Sequence, residues 1–131
     1  MEHLMRINIG AIPHIFQRYN TLGDWQFYDN DGTLTIRVSD TGDYRMNAAL
    51  AIHEFAEAIL CKARGITQQQ VDRWDLAHLE DPDPGSIEGC PYHDQHIGAA
   101  IIENIFLKML GIKDAEYDER TLKCQQSTQS S

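Results

Sequence analysis

The first half of the chain alternates between apolar and polar residues, a pattern typical of β-strands. Residues 4–10 (LMRINIG) alternate in this way, and so do residues 25–28 (WQFY) and 33–39 (TLTIRVS). Between the last two stretches, the dipeptide Asp31-Gly32 favours a tight turn. We therefore expect a strand near the N-terminus, followed by a β-hairpin.

The second half of the chain predicts helices. Asp43 is a suitable N-cap for a helix that starts at Tyr44 and ends at Gly65. This helix is apolar on most of its sides, so we expect it to be central. Thr67 and Gln70 have the spacing of a capping box, which predicts the start of a second, shorter helix.

Residues 80–92 contain three prolines and two glycines, a composition that predicts a loop. A third helix is expected from about His93 to Leu110. The order of elements, strands first and helices after, indicates an α+β domain over residues 1–113, with a small antiparallel sheet packed against three helices. Residues 114–131 are polar, and we expect them to form a disordered tail.

The composition excludes several classes of function. The chain has 131 residues, 42% of them hydrophobic, and a formal net charge of −9. An acidic surface repels nucleic acid and anionic membranes, but it suits a metal ion or a basic protein partner. The three cysteines form no disulfide framework, which favours a reducing compartment. With no signal peptide and no apolar run of about 18 residues, the chain is expected to be soluble and cytoplasmic.

The stretch AALAIHEFAEAILC, residues 48–61, places ionisable side chains in an otherwise apolar helix. Such groups are usually paired or bound to a metal, because burying an unpartnered charge is costly. His53 and Glu57 are four residues apart and therefore lie on one helix face. In H-E-x-x-H helices the same spacing presents two zinc ligands, with the Glu as general base. Here the helix reads H-E-F-A-E, which gives Glu54 the position of the base.

A third ligand is expected from the segment CPYHDQH, residues 90–96. His93 and His96 are both candidates. We favour His96, because Glu103 lies seven residues later on the same helix face. One Zn²⁺ per chain would then be held by His53, Glu57 and His96, with a fourth position open for water. Glu103 is expected to orient a ligand histidine or to serve as an alternative ligand.

Two interpretations without catalysis compete with this one. The buried His and Glu residues form a paired polar network that specifies how the helices pack, with no metal involved. Alternatively, Cys90 contributes with His93 and His96 to a structural zinc site, since their spacing suits zinc.

Four stretches together resemble a family of small, uncharacterised phage and prophage proteins: IPHIFQRYNTLGDW, LTIRVSD, AIHEFAEAILCKARGI and PYHDQHIGAAIIE. The resemblance covers roughly residues 6–112. It includes the H-E-x-x-E helix and a later pattern that matches Pro91, Tyr92, His96 and Glu103. Position 93 is not regularly histidine in that family, which also favours His96 over His93.

The arrangement also resembles a minimal zincin, in which an edge strand leads into the active helix and a second helix delivers the outer ligand. Glu57 stands where zincins usually have a histidine. The resemblance implies a zincin-like phage protein that acts as a zinc-dependent hydrolase of peptide or amide bonds in the host cytoplasm. The competing function is a non-catalytic phage factor that binds and inhibits a host or defence protein, with a structural metal or none.

Overall fold

The structure, a computed structural model that describes residues 5–28 and 30–127, has one small sheet of three strands. The strands are β1 (Arg6–Ile12), β2 (Gly23–Tyr28) and β3 (Thr33–Ser39). Their order in the sheet is β1-β3-β2, so β3 is the central strand. The expectation from the zincin resemblance, that the strand leading into the first helix is an edge strand, is therefore wrong.

The sheet is mixed, and the expectation of an antiparallel sheet is wrong for one of its two strand pairs. β2 and β3 are antiparallel, as the hairpin pattern predicts. β1 runs parallel to β3, with Ile7 opposite Leu34 and Ile9 opposite Ile36. The alternation of apolar residues identifies a strand but not its neighbour. The hairpin turns so that β3, rather than β2, lies beside β1.

The core is centred on β3 and the first helix. Leu34, Ile36 and Val38 are at most 1% exposed and lie on one face of β3. This face packs against α1 (Tyr44–Ala63), which also contacts β2. The remaining helices are α2 (Gln68–Ala77), α3 (His93–Met109) and α4 (Asp114–Gln126).

The predicted helix starts are confirmed. The Asp43 carboxylate caps α1 by accepting the backbone N–H of Arg45 at 2.9 Å. Thr67 and Gln70 form the expected capping box at the start of α2. α1 is central, because α3 packs on the side that the sheet leaves open.

The prediction of a disordered tail is wrong for most of its length. Residues 114–126 form α4, and residues 128–131 lie outside the described part of the chain. α4 is polar because only a narrow stripe of it is buried, at Tyr117 and Thr121. Such a stripe is enough to hold a helix on the domain, although it gives little hydrophobic signal in the sequence.

The α+β class is confirmed, and the described part of the chain has four α-helices where three were expected. Within residues 5–28 and 30–127, no helix is both long enough and apolar enough to cross a lipid bilayer. The cysteines at positions 61, 90 and 124 are free thiols, and the first two are buried.

Candidate metal centre

α1 carries two of the predicted ligand residues into the protein interior. His53 and Glu57 are 7% and 6% exposed, one helical turn apart, on the side of α1 that meets α3. α3 brings His96 to the same place, since this residue lies in its first turn.

Three donor atoms from these residues meet at one point. His53 Nε2 lies 3.2 Å from Glu57 Oε2 and 3.2 Å from His96 Nδ1. His96 Nδ1 lies 2.8 Å from Glu57 Oε2. Ligand atoms that share one tetrahedral zinc ion at about 2.0–2.1 Å lie about 3.3 Å from one another. The triangle therefore has nearly the size that a zinc ion needs, and its donor set of two imidazoles and one carboxylate suits zinc.

A carboxylate holds the second nitrogen of each histidine. Glu103 Oε1 lies 2.7 Å from His53 Nδ1, and Asp83 Oδ1 lies 2.9 Å from His96 Nε2. These contacts fix a proton on the nitrogen that points away from the triangle, so the nitrogen inside the triangle is the one that would bind a metal after losing its own proton. Glu103 is itself held by a hydrogen bond from the Tyr117 hydroxyl of α4.

Glu57 is oriented in the same manner. Its Oε1 atom accepts a hydrogen bond of 3.0 Å from the indole N–H of Trp25 on β2. Its Oε2 atom is the one that faces the two histidines. The carboxylate therefore offers one oxygen to the triangle, while the other is fixed by the sheet.

The carboxylates around the triangle determine the protonation of the two histidines. Burial disfavours a charged His53, but its bonds to Glu103 and Glu57 prevail and raise its pKa to about 11. Burial also disfavours a charged His96, but its contacts with Asp83 and Glu57 prevail and raise its pKa to about 9. For Glu57, the bonds from both histidines outweigh burial and lower the pKa to about 2. The carboxylates thus keep the two histidines protonated. A divalent ion bound in the triangle would replace this positive charge and release the protons.

Glu54 lies beside the triangle. One of its oxygens is 3.9 Å from His53 Nε2, and its side chain is 12% exposed. Burial and the nearby charge of Glu57 raise the pKa of Glu54 well above its usual value. The carboxylate packs so closely on β2 that a Cβ atom added to Gly23 would lie 2.5 Å from Glu54 Cγ.

A cleft of about 380 Å³ opens onto these residues. Its wall includes Tyr92, whose hydroxyl donates a hydrogen bond of 2.5 Å to Asp75. Burial and the adjacent carboxylate raise the pKa of Tyr92, so this phenol stays protonated. The walls also carry six carboxylates, which make the cleft acidic: Asp24, Glu54, Glu57, Asp75, Asp83 and Glu103.

The structure brings together His53, Glu57 and His96 and places Glu103 behind His53. His93 is not part of the cluster, because its Nδ1 atom faces the Gly85 carbonyl oxygen at 3.1 Å. The described residues offer one group of three or more donors with metal-like spacing, and Cys90 is not in it.

Sequence reasoning missed Asp83, Trp25 and Tyr117. Asp83 lies in the predicted loop, where a carboxylate between two prolines gives no sign of its partner. Trp25 is a buried aromatic residue, 5% exposed, and its position in the sequence gives no sign that its indole N–H meets Glu57. Tyr117 falls in the segment expected to be disordered. A signal for it exists in hindsight: Tyr117 and Thr121 are four residues apart in a segment of good helix formers.

Comparisons with known proteins give no indication of the function of this chain. The chain matches no model of a known protein family, no curated protein and no solved structure. Any function must therefore be argued from the side chains themselves.

Proposed function

We propose that the chain is a zinc-dependent hydrolase of peptide or amide bonds, with one Zn²⁺ held by His53, Glu57 and His96. The main support is the meeting of three donor atoms within 2.8–3.2 Å, each on a side chain whose other polar atom has its own partner. Carboxylate partners on the outer nitrogens of His53 and His96 are the arrangement by which metal centres orient their histidine ligands.

When bound, zinc supplies Lewis acidity, which polarises a carbonyl group and lowers the pKa of a water molecule towards about 7. His53, Glu57 and His96 would hold the ion, and three protein ligands would leave room on it for a water molecule. Glu54 lies next to the proposed ligand atom of His53 and is the proposed general base. The positive charge of a bound zinc ion would lower the raised pKa of Glu54 and so favour the ionised form that accepts a proton. Glu54 accepts the proton of the attacking water and returns it to the leaving amine.

The cleft limits the substrate. A cavity of about 380 Å³ holds a few residues of a peptide or a small amide, but not a folded protein. A short peptide is therefore the proposed substrate class. The free thiols at positions 61, 90 and 124 fit the reducing cytoplasm as the place of action.

The substitution Glu54→Gln tests this function, because it removes the base but keeps the size of the side chain. The zinc-loaded protein is incubated with a mixture of short peptides, and newly formed amino groups are measured. We expect a fall of at least about 100-fold in the rate, with unchanged zinc content. Glu88→Gln is the matched control, since Glu88 is exposed and absent from the cleft walls.

The alternative is a binding factor whose metal is structural. That function predicts that the wild-type protein retains zinc but releases no amine from any peptide. It also predicts that Glu54→Gln changes neither zinc content nor binding to a partner. The two functions thus differ in the outcome of the same experiment.

A further inference from the structure

α3 has an apolar face that points to solvent. Ile97, Ile101, Ile105 and Met109 recur at every fourth residue, which places them along one side of the helix. Their exposed fractions are 40, 57, 56 and 81%. Ile102, at 43% exposed, widens this stripe. We refer to these five residues as the outer face of α3.

The outer face lies on the opposite side of α3 from the candidate metal centre. Successive residues of a helix are rotated by about 100°, so Glu103 is about 200° away from Ile101. Ala99 and Leu107 lie near the Glu103 side and are at most 3% exposed. α3 therefore buries one face against α1 and leaves a second apolar face outside.

The outer face is as large as the apolar patches that often mark interaction sites on proteins. Five large apolar side chains at these exposures present roughly 500 Å² of mostly apolar surface, which is in the range of functional patches on monomers. With its polar rim, such a patch approaches the roughly 800 Å² per partner of a standard protein interface.

Two opposite charges mark the ends of the outer face. Asp94 is in the first turn of α3 and Lys108 is in the last, and both are exposed. Each is seven residues from Ile101, on the same side of the helix. If two copies of α3 pack antiparallel about a two-fold axis at Ile101, each Asp94 meets the Lys108 of the other copy. Parallel packing would instead bring like charges together.

We propose that a second copy of this chain covers the outer face, with the two α3 helices antiparallel and Ile101 on the two-fold axis. A two-fold interface must be complementary to itself, and this face satisfies that condition both in its apolar stripe and in its terminal charges. The charges at its ends are one of each sign. Two copies of this face therefore do not repel each other in the way that other parts of a surface with a net charge of −9 would. This proposal does not depend on the proposed function.

The oligomeric state is measured by light scattering during gel filtration, at about 10–100 µM protein. Wild-type protein is expected at twice the mass of the chain. Ile101→Asp places two carboxylates at the axis, and should raise the dissociation constant at least about 100-fold. Ile15→Asp is the matched control and should remain dimeric, since Ile15 is 67% exposed but lies outside α3.

Cross-linking tests the register. In a Cys124→Ser background, Ile101→Cys should form a disulfide between two copies under mild oxidation, because the two residues meet at the axis. Met109→Cys is more exposed but lies eight residues from the axis, so its two copies are about 24 Å apart and should remain unlinked.

Charge exchange tests the direction of packing. Asp94→Lys or Lys108→Asp alone should weaken the dimer about 10-fold, and the double variant should restore it. Both native charges also stabilise α3 through the helix dipole, so each single variant could weaken the dimer by destabilising the helix. Melting curves of the four proteins distinguish this effect from a direct effect on the interface. A wild-type monomer at 100 µM, or equal cross-linking at positions 101 and 109, would overturn the proposal and leave the face to a different partner.

Discussion

Two glycines determine how closely the backbone approaches the candidate metal centre. Gly23 on β2 faces Glu54, and Gly85 in the loop before α3 faces His96. A Cβ atom added at position 85 would lie 2.5 Å from His96 Cγ and 2.7 Å from His96 Nδ1. Neither glycine has room for a side chain, so each one fixes the position of a different functional group.

The two positions should therefore respond differently to alanine. Gly23→Ala displaces the proposed base, and we expect about 10- to 100-fold slower peptide hydrolysis with zinc affinity nearly unchanged. Gly85→Ala displaces a ligand, and we expect about 10- to 100-fold weaker zinc binding in a competition assay with a chelating dye. Gly10→Ala is the control, since a Cβ atom there meets nothing within 4 Å. Equal effects of the first two variants on zinc affinity would contradict the separate roles.

Asp75 gives the fold a dependence on pH. Burial raises its pKa from 3.8 to about 6, although the hydrogen bond from Tyr92 opposes the rise. The folded protein thus binds this proton more tightly than the unfolded chain does. The stabilisation is complete below about pH 4 and is lost as the pH rises through about 6.

Asp75→Asn should remove this dependence, because the amide still accepts the Tyr92 hydrogen bond but does not ionise. We expect the wild type to lose about 1–2 kcal/mol relative to the variant between pH 4 and pH 7. Urea unfolding of zinc-free protein at the two pH values gives this difference. A free-energy difference between the two proteins that is the same at both pH values would refute the role of Asp75.

At the scale of elements, α4 supports the candidate metal centre from a distance. Its Tyr117 hydroxyl donates a hydrogen bond to Glu103, which in turn holds His53. α4 is also tied to the loop before α1, since Arg120 donates to the Thr41 carbonyl oxygen at 2.9 Å. The helix therefore belongs to the structure that positions the ligands.

Tyr117→Phe isolates this contribution, because it removes only the hydroxyl group. Glu103 then lacks its donor and holds His53 less firmly, so zinc affinity should fall about 10-fold while the helical circular dichroism signal is preserved. Tyr44→Phe is the control, since Tyr44 is 81% exposed. If both variants bind zinc as the wild type does, α4 has no part in the centre.

The sequence predicts local features better than long-range ones. The helix caps at Asp43 and Thr67 follow from residues within one turn, and so does the shared face of His53 and Glu57. The parallel pairing of β1 with β3 depends on contacts between residues about 27 positions apart, for which the alternation pattern has no information.

The candidate metal centre divides in the same way. His96 could be predicted because its spacing to Glu103 is visible on a single helix. Its contact with His53 was expected only because a zinc site needs a third ligand. The partners Asp83 and Trp25 come from a loop and a strand, and no spacing rule connects either one to α1. Tyr117 was missed because a helix held by two buried residues resembles a polar tail in composition.

At the scale of the whole molecule, the candidate metal centre is where most of the elements meet. α1 and α3 supply the proposed ligands, β2 supplies Trp25, the loop supplies Asp83 and α4 supplies Tyr117. A metal bound there ties these elements together and stabilises the folded state by mass action. At a free zinc concentration of 100 times its dissociation constant, the gain is about 2.7 kcal/mol.

The most direct test is the zinc content of untagged protein, purified without chelator and measured by mass spectrometry. We predict about one zinc per chain in the wild type, and a loss of zinc in both His53→Ala and His96→Ala. His93→Ala should retain it, because His93 lies next to the cluster but faces Gly85. A wild-type protein without metal after zinc is supplied, or an equal loss in His93→Ala, would contradict the central claim.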